Sequence, residues 1–465
     1  MQDITVENII SITKGLLVIG DKSDKCINFS KDTRTINKGD TYIGIKGEKL
    51  NGNVFWKEAL NNGAKTIIVE GIDFSLENIS QYVNINIILV ENTLHALYKI
   101  AKFKRSLYNI PVIAVTGSVG KTSTKDIIAS VIGKKYKTLK TQGNNNNNIG
   151  MPFTILKLKD EEAMVLEMGM NHLKEISLLS DIAKPTICVI SNIGTAHIGN
   201  LGSRENILKA KLEVLDGMEK GTLIINEDND LLHNYSTNCG KLNKNIKILG
   251  FGISNSSNIN AEQIELKEEN STFKCEIYGK QEKVIVPVTG EHFVLNSLAG
   301  ILVGEELDVK AQDIVSAIKE FSLTEKRMQI HNLKCGVKII NDAYNASFES
   351  MKASLEILGN YGSSRKIAIL GDMFELGEFA DEIHKNVGKI VANKKIDILI
   401  CTGLKSKYII ESAQKSKTQC IYLNSKEDII EKIAEIKKKG DVILVKASNG
   451  MKFYEIAEEL KRSLI

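Results

Sequence analysis

The chain has 465 residues, a formal net charge of +4, 43% hydrophobic residues and 25% charged ones. That length exceeds one hydrophobic core and predicts about three domains. The balanced, dispersed charge gives no indication of a nucleic-acid partner, no apolar run approaches the roughly 20 residues of a membrane span, and seven scattered cysteines without a C-x-x-C pair argue against a disulfide framework or a zinc site.

The start, Met1-Gln2-Asp3-Ile4-Thr5, has no basic leader, and the chain is expected to be cytoplasmic and monomeric. With only four prolines, punctuation comes from glycine, asparagine and changes of period. Residues 1–107 predict a small α/β domain, with strands at Thr41–Ile45, Thr66–Val69 and Ile87–Val90 and helices at Val54–Asn61 and Leu97–Ser106.

Residues 108–322 predict a second domain. Its strands, Val112–Val115, Ala163–Leu166, Ile187–Ile190 and Leu223–Ile225, are near-continuous apolar runs. Strands buried on both faces read this way, so the sheet is expected to be parallel and covered by helices. Residues 245–289 change to alternation, at Thr272–Ile277 and Lys283–Val288, and predict a small antiparallel insertion before a helix at Val294–Gly304. The asparagine run Asn144–Asn148 reads as a polar loop.

The most informative segment is Val112-Ile113-Ala114-Val115-Thr116-Gly117-Ser118-Val119-Gly120-Lys121-Thr122-Ser123. An apolar strand, a glycine turn and a lysine with hydroxyls opening a helix form a nucleotide-phosphate cradle. Glycines let backbone N–H groups approach phosphate oxygens, the helix start adds positive potential, Lys121 reaches the terminal phosphate, and Thr122 can hold Mg²⁺. Val115 stands where the longer form of the pattern has its first glycine, so the usable motif begins at Thr116. ATP is the expected ligand. Glu167, at the end of the next strand in this reading, is placed for Mg²⁺. His197 follows the strand Ile187–Ile190 and is by itself a weak signal. Lys211 looks like one solvent-facing lysine of an amphipathic helix.

Residues 323–465 predict a third, Rossmann-like α/β domain. Its strands are Val337–Ile340, Ile367–Leu370, Ile396–Ile400 and Val442–Val445, and its helices Ser350–Leu358, Asp381–Val391 and Tyr454–Ser463. Asn341–Asn345 and Gly371–Gly377 follow strands, and each is either a ligand-binding rim or a polar turn.

Taken in order, these segments resemble the Mur ligase family along essentially the whole chain. The resemblance rests on Asp32-Thr33-Arg34 with Ile45-Lys46-Gly47, on Thr116–Thr122, and on Asn147-Asn148-Ile149-Gly150-x-Pro152. It continues through Glu167-Met168-Gly169, Gly194-x-Ala196-His197, Ala210-Lys211-x-Glu213 and Gly290-Glu291-His292-x-x-x-Asn296. Lys326-Arg327-Met328, Asp342-x-Tyr344-Asn345-Ala346 and Gly371-Asp372-Met373-x-Glu375-Leu376-Gly377 complete it.

It implies an ATP- and Mg²⁺-dependent ligase with three domains: a small UDP-binding module, a central P-loop ATPase and a C-terminal Rossmann-like domain. Tyr344-Asn345-Ala346 with Ser350-Met351, and the absence of an Asp-Asn-Pro-Arg motif, favour the branch that joins D-alanyl-D-alanine to UDP-N-acetylmuramoyl-tripeptide. By the same resemblance Thr33, Arg34 and Lys46 lie near the UDP, and Tyr344 and Asn345 near substrate. Glu167 and His197 hold Mg²⁺, Lys211 is carbamylated, Asn148 supports the phosphates, Asn296 meets adenine, and Arg327 and Asp342 close over ATP. Asn53 and Asn449 depart from the family pattern, which has histidine and more often arginine there. A paralogue joining a different acid and amine, and a nucleotide-dependent regulatory protein, are the alternative readings.

Overall fold

The computed structural model describes residues 3–47, 50–72, 82–238, 245–254, 257–323 and 327–464; Met1, Gln2 and Lys326, named above, and Cys239, one of the seven cysteines, lie outside them. The first sheet has six strands in the order Ile4–Thr5, Lys25–Ser30, Asp40–Ile43, Thr66–Val69, Asn86–Leu89, Leu16–Ile19. Its interior pairs are parallel and its two edge strands antiparallel. The three strands expected from sequence sit within its apolar middle. The others were not legible because they are short and partly exposed.

The central sheet is parallel and seven-stranded, in the order Ile259–Asn260, Ile246–Gly252, Gly221–Asn226, Ile187–Ile190, Val112–Thr116, Ala163–Glu167, Thr138–Lys140. One expectation is corrected here. Ile246–Gly252 and Ile259–Asn260 extend this parallel sheet, and only Glu262–Leu266, Ser271–Ile277 and Lys280–Val286 form the antiparallel insertion. The exposed start of Ile246–Gly252 puts Lys247 among isoleucines, an alternation that looks antiparallel in sequence.

The register decides where chemistry can occur. Val115 pairs with Glu167 and Thr116 with Ile190, so three chain segments leave the sheet at one rim. Chain order reverses across Val112–Thr116, and such a switch point opens a crevice at the strands' carboxyl ends. Behind it, the helix Glu291–Glu306 packs closely on the helix Lys121–Ile132. A Cβ on Gly300 would lie 2.7 Å from Ile127 Cγ2, so glycine sets that approach.

The C-terminal sheet runs Gln329–Asn332, Lys338–Asn341, Val442–Lys446, Lys366–Leu370, Ile398–Cys401, Gln419–Tyr422, parallel except at its first strand. The edge strand Gln419–Tyr422 and the helix Lys426–Ile436 were not anticipated, because neither carries a long apolar run. No helix among the described residues is long and apolar enough to cross a membrane.

Candidate active site

The phosphate loop connects Val112–Thr116 to Lys121–Ile132. Gly117 has φ +150°, and a Cβ there would fall 2.0 Å from Ser191 Oγ. Gly120 has φ +83° and caps the helix. Both positions therefore require glycine. Not every backbone donor of the loop is free for phosphate. The Ser118 amide donates to the Asn192 carbonyl at 3.1 Å, and the Val119 amide to Asn192 Oδ1 at 2.9 Å. Asn192, which the sequence reading passed over, thus braces the loop. Ser123 sits partly buried on the helix's first turn.

Lys121 folds over the loop and donates to the Gly117 carbonyl at 2.8 Å. Burial holds its ammonium below the usual lysine value; Glu167 opposes that shift and Arg327 adds to it. Lys121 therefore feels a carboxylate of its own domain and a guanidinium of the next.

Glu167 is 2% exposed at the end of its strand. Thr122 Oγ1 donates to its Oε2 at 2.9 Å, and Asn146 Nδ2 to its Oε1 at 2.8 Å. Asn146 is thus the member of the asparagine run that reaches the carboxylate. Asn148 instead sits beside the Tyr98 hydroxyl, whose pKa is raised by burial, a shift that Asn148 partly offsets. Asn296 accepts from Thr124 Oγ1 at 3.0 Å, and its buried Nδ2 has no partner. That unpaired donor lies beside Gly120, where a ligand acceptor would satisfy it.

Lys211 corrects the sequence reading outright. It is 2% exposed, on the inner face of the helix Arg204–Leu212 with Ile207 and Ala210. Burial lowers its pKa well below the lysine norm, and Lys121 lowers it further. Periodicity failed because a nine-residue helix with lysines on both faces carries almost no amphipathic signal.

His197 adopts φ +66° and Glu375 φ +63°, left-handed values uncommon outside glycine. His197 Nδ1 stands 2.5 Å from Glu375 Oε2 across the interface of the central and C-terminal domains, off the line of an N–H donor. The histidine is the main reason the Glu375 carboxyl is held below its ordinary range. Beside them Gly199 donates to the Glu375 carbonyl at 3.0 Å, and a Cβ on Gly199 would come 2.5 Å from Gly377 N. Only a bare backbone fits that junction.

From the C-terminal domain, the Arg327 guanidinium lies 4.0 Å from the Tyr344 ring centroid. Tyr344 Oη donates to Asn144 Oδ1 of the central domain at 3.1 Å. The Asp342 carboxylate is taken up internally, by Lys446, by Ser354 Oγ at 2.7 Å and by the Met328 amide at 3.1 Å. It therefore holds the backbone that carries Arg327. Asn449 donates to the Tyr344 carbonyl at 2.8 Å, and its amide to Asn345 Oδ1 at 3.3 Å. Burial pushes His292 down to about 4, against the attraction of Asp342 and with the repulsion of Lys446.

In the first domain, Thr33 Oγ1 donates to Glu58 Oε1 at 2.5 Å, Arg34 forks onto Asp32 at 2.9 and 2.7 Å, and Lys46 is exposed beside Asn51. Asn53 is 1% exposed; its Nδ2 donates to Asn51 Oδ1 at 2.9 Å and its Oδ1 accepts from the Glu70 amide at 2.9 Å. It serves as a scaffold residue there.

Profiles of the Mur ligases match three stretches: the family's catalytic domain over residues 29–105, the middle domain over 115–304 and the glutamate ligase domain over 326–449. The UDP-N-acetylmuramoyl-tripeptide–D-alanyl-D-alanine ligase of Bacillus subtilis is 37% identical over 99% of this chain and 98% of its own length. Its counterpart in Synechocystis is 33% identical over 93% and 91%. Among solved structures, MurF from Acinetobacter baumannii superposes with a TM-score of 0.89 at 26% identity over the whole of both chains. MurF from Thermotoga maritima in complex with ADP superposes with a TM-score of 0.83 at 28% identity, over 94% of this chain and 98% of that one.

Proposed function

The chain belongs to the Mur ligase family, and from that premise we propose that it joins D-alanyl-D-alanine to UDP-N-acetylmuramoyl-tripeptide with hydrolysis of ATP to ADP and phosphate, in the synthesis of peptidoglycan precursors. One observation carries the reading at the site. Lys121 on the phosphate loop feels the charge of both Glu167, on the neighbouring strand, and Arg327, from the C-terminal domain, and the Thr122 hydroxyl on the same loop bonds that Glu167 carboxylate at 2.9 Å. That is the surrounding a triphosphate needs when its terminal group is moved.

A carboxylate resists attack by an amine because both its oxygens carry negative charge. In the proposed sequence a carboxylate oxygen of the tripeptide attacks the γ-phosphorus. The new O–P bond forms as the bond to the β-bridging oxygen breaks, and ADP leaves. The amine nitrogen of D-alanyl-D-alanine then adds to the acyl carbon, loses a proton, and phosphate departs with its electron pair as the amide forms. Such transfers need positioning and charge neutralisation more than a protein nucleophile. Lys121 and Arg327 supply positive charge, and Asn296 orients the base through its unpaired amide.

The donor set suits Mg²⁺. Thr122 and Glu167 offer hard oxygens at one point. Among the described residues no three acidic, histidine or cysteine side chains converge, so the ion would have to take its remaining ligands from water and phosphate. With Nδ1 of His197 facing Glu375, its Nε2 is the nitrogen left for a metal. A desolvated amine such as Lys211 is nucleophilic toward CO₂, and a carbamate there would be one more anionic oxygen ligand. Bound Mg²⁺ would neutralise phosphate charge. Thr33, Arg34 and Lys46 are the residues assigned to the UDP end, Tyr344 and Asn345 to the incoming dipeptide, and Asn148 to support of the phosphate site from beside Tyr98. The domain limits we adopt are 1–107, 108–322 and 323–465, in a cytoplasmic monomer.

The test is ligation with ATP, Mg²⁺, D-alanyl-D-alanine and the UDP-tripeptide carrying either diaminopimelate or lysine, analysed by mass and phosphate release. One ligated product per phosphate is expected with one tripeptide. Phosphate release without product would reassign the chain to a different acid and amine.

A further inference from the structure

Glu349 takes no part in the chemistry above, yet its carboxylate is one of the most specifically held at the domain interface. It lies in the first turn of the helix Phe348–Gly359, after the capping residue Ser347, where free N–H groups favour an anion. Its side chain crosses to the central domain. Oε1 accepts the Thr195 amide at 2.7 Å, and Oε2 lies 3.3 Å from Thr195 Oγ1. The adjacent residue leaves room for the carboxylate: a Cβ on Gly194 would stand 2.4 Å from the carboxyl carbon of Glu349, so a side chain there would displace the Glu349 head.

This short loop is wired to the site at both ends. The Gly194 amide donates to Ser118 Oγ of the phosphate loop at 2.9 Å, and His197 follows Thr195 by two residues. Arg204, which holds the Ile193 carbonyl at 3.0 Å, also feels the Glu349 charge. The carboxylate is only partly buried, so separating the domains returns it to water at little cost. A charge-assisted bond of this kind is strong when made and reversible when released.

We infer that Glu349 is a positioning residue that latches the C-terminal domain onto the Gly194–His197 loop, so that Arg327 and the phosphate loop share one alignment only in the closed form. Its consequence for turnover rests on the ligase reading; its geometry does not. Opening removes both acceptors from Thr195, whereas the Ser118 contact stays within the central domain.

Amide hydrogen exchange over residues 191–201, small-angle scattering with and without Mg²⁺ and ADP, and ligation kinetics test it together. Glu349→Ala is expected to speed exchange of the Thr195 amide about tenfold in nucleotide-free protein, to lower the closed fraction, and to cut kcat about tenfold with KM for ATP within about twofold of wild type. Glu349→Gln keeps an acceptor for the amide and stays within about threefold on every readout. Unchanged exchange and an unchanged closed fraction in Glu349→Ala would overturn the latch, even if wild type ligates. Should Glu349→Ala not fold, Glu349→Asp, one methylene too short, takes its place under the same criteria. If wild type fails to ligate, the ligase reading falls, and the nucleotide-free exchange still decides the latch.

Discussion

Replacing Thr122 by valine, which has almost the same shape, removes one hydroxyl and no packing. Glu167 Oε2 then loses the donor that stands 2.9 Å away in a site 2% exposed, while Oε1 keeps Asn146. A lost hydrogen bond to a buried charged acceptor costs about 1.5–3 kcal/mol. At roughly 2.1 cal/mol/K per residue, a unit of about 200 residues unfolds with near 0.4 kcal/mol/K. Two kcal/mol therefore corresponds to about 5 °C on the transition of the central domain. The same hydroxyl is our assigned metal ligand, so kcat/KM for ATP is expected to fall about a hundredfold. Thr122→Ser keeps the oxygen and should stay within about 2 °C and tenfold of wild type. Calorimetry and ATP-dependent phosphate release measure both effects. A Thr122→Val protein that melts with wild type and retains its kcat/KM would refute the pairing and the metal assignment together.

Lys211→Ala should be folded and inactive, with activity partly restored by a short added carboxylic acid; no rescue at any concentration would leave carbamylation without support. Gly199→Ala places a methyl 2.5 Å from Gly377 N and 2.7 Å from the Glu375 carbonyl oxygen. Overpacking of about 1–3 kcal/mol at the closed interface predicts a kcat reduced about fivefold to a hundredfold with little change in melting, and kcat equal to wild type would show that closure tolerates the gap. His292 is held at about 4 chiefly by burial, below the roughly 6.5 of an unfolded histidine. Between those values the unfolded chain binds a proton that the native chain does not. Stability should therefore fall as pH drops from about 6.5 toward 4, by up to about 3 kcal/mol. Denaturant melts of wild type and His292→Gln across that window check it, and parallel slopes would contradict the shift.

Much of the α/β architecture was legible because parallel strands buried on both faces are written as apolar runs. Val112–Thr116, Ile187–Ile190 and Lys366–Leu370 needed no alignment to find. Ile246–Gly252 misled because its exposed start imitates an antiparallel edge. Asn146 was hidden inside a run of five asparagines, any one of which could have met Glu167.

What the sequence by itself determined is local: a strand, two glycines at positive φ and a helix start make a phosphate cradle whatever surrounds them, since the atoms that bind are the backbone of consecutive residues. Tertiary structure alone decided that Lys211 is buried, that His197 meets Glu375 and that Glu349 reaches Thr195. Those pairings join residues up to 178 positions apart, and the environment of a charge depends on what packs against it, which no window of neighbouring residues contains.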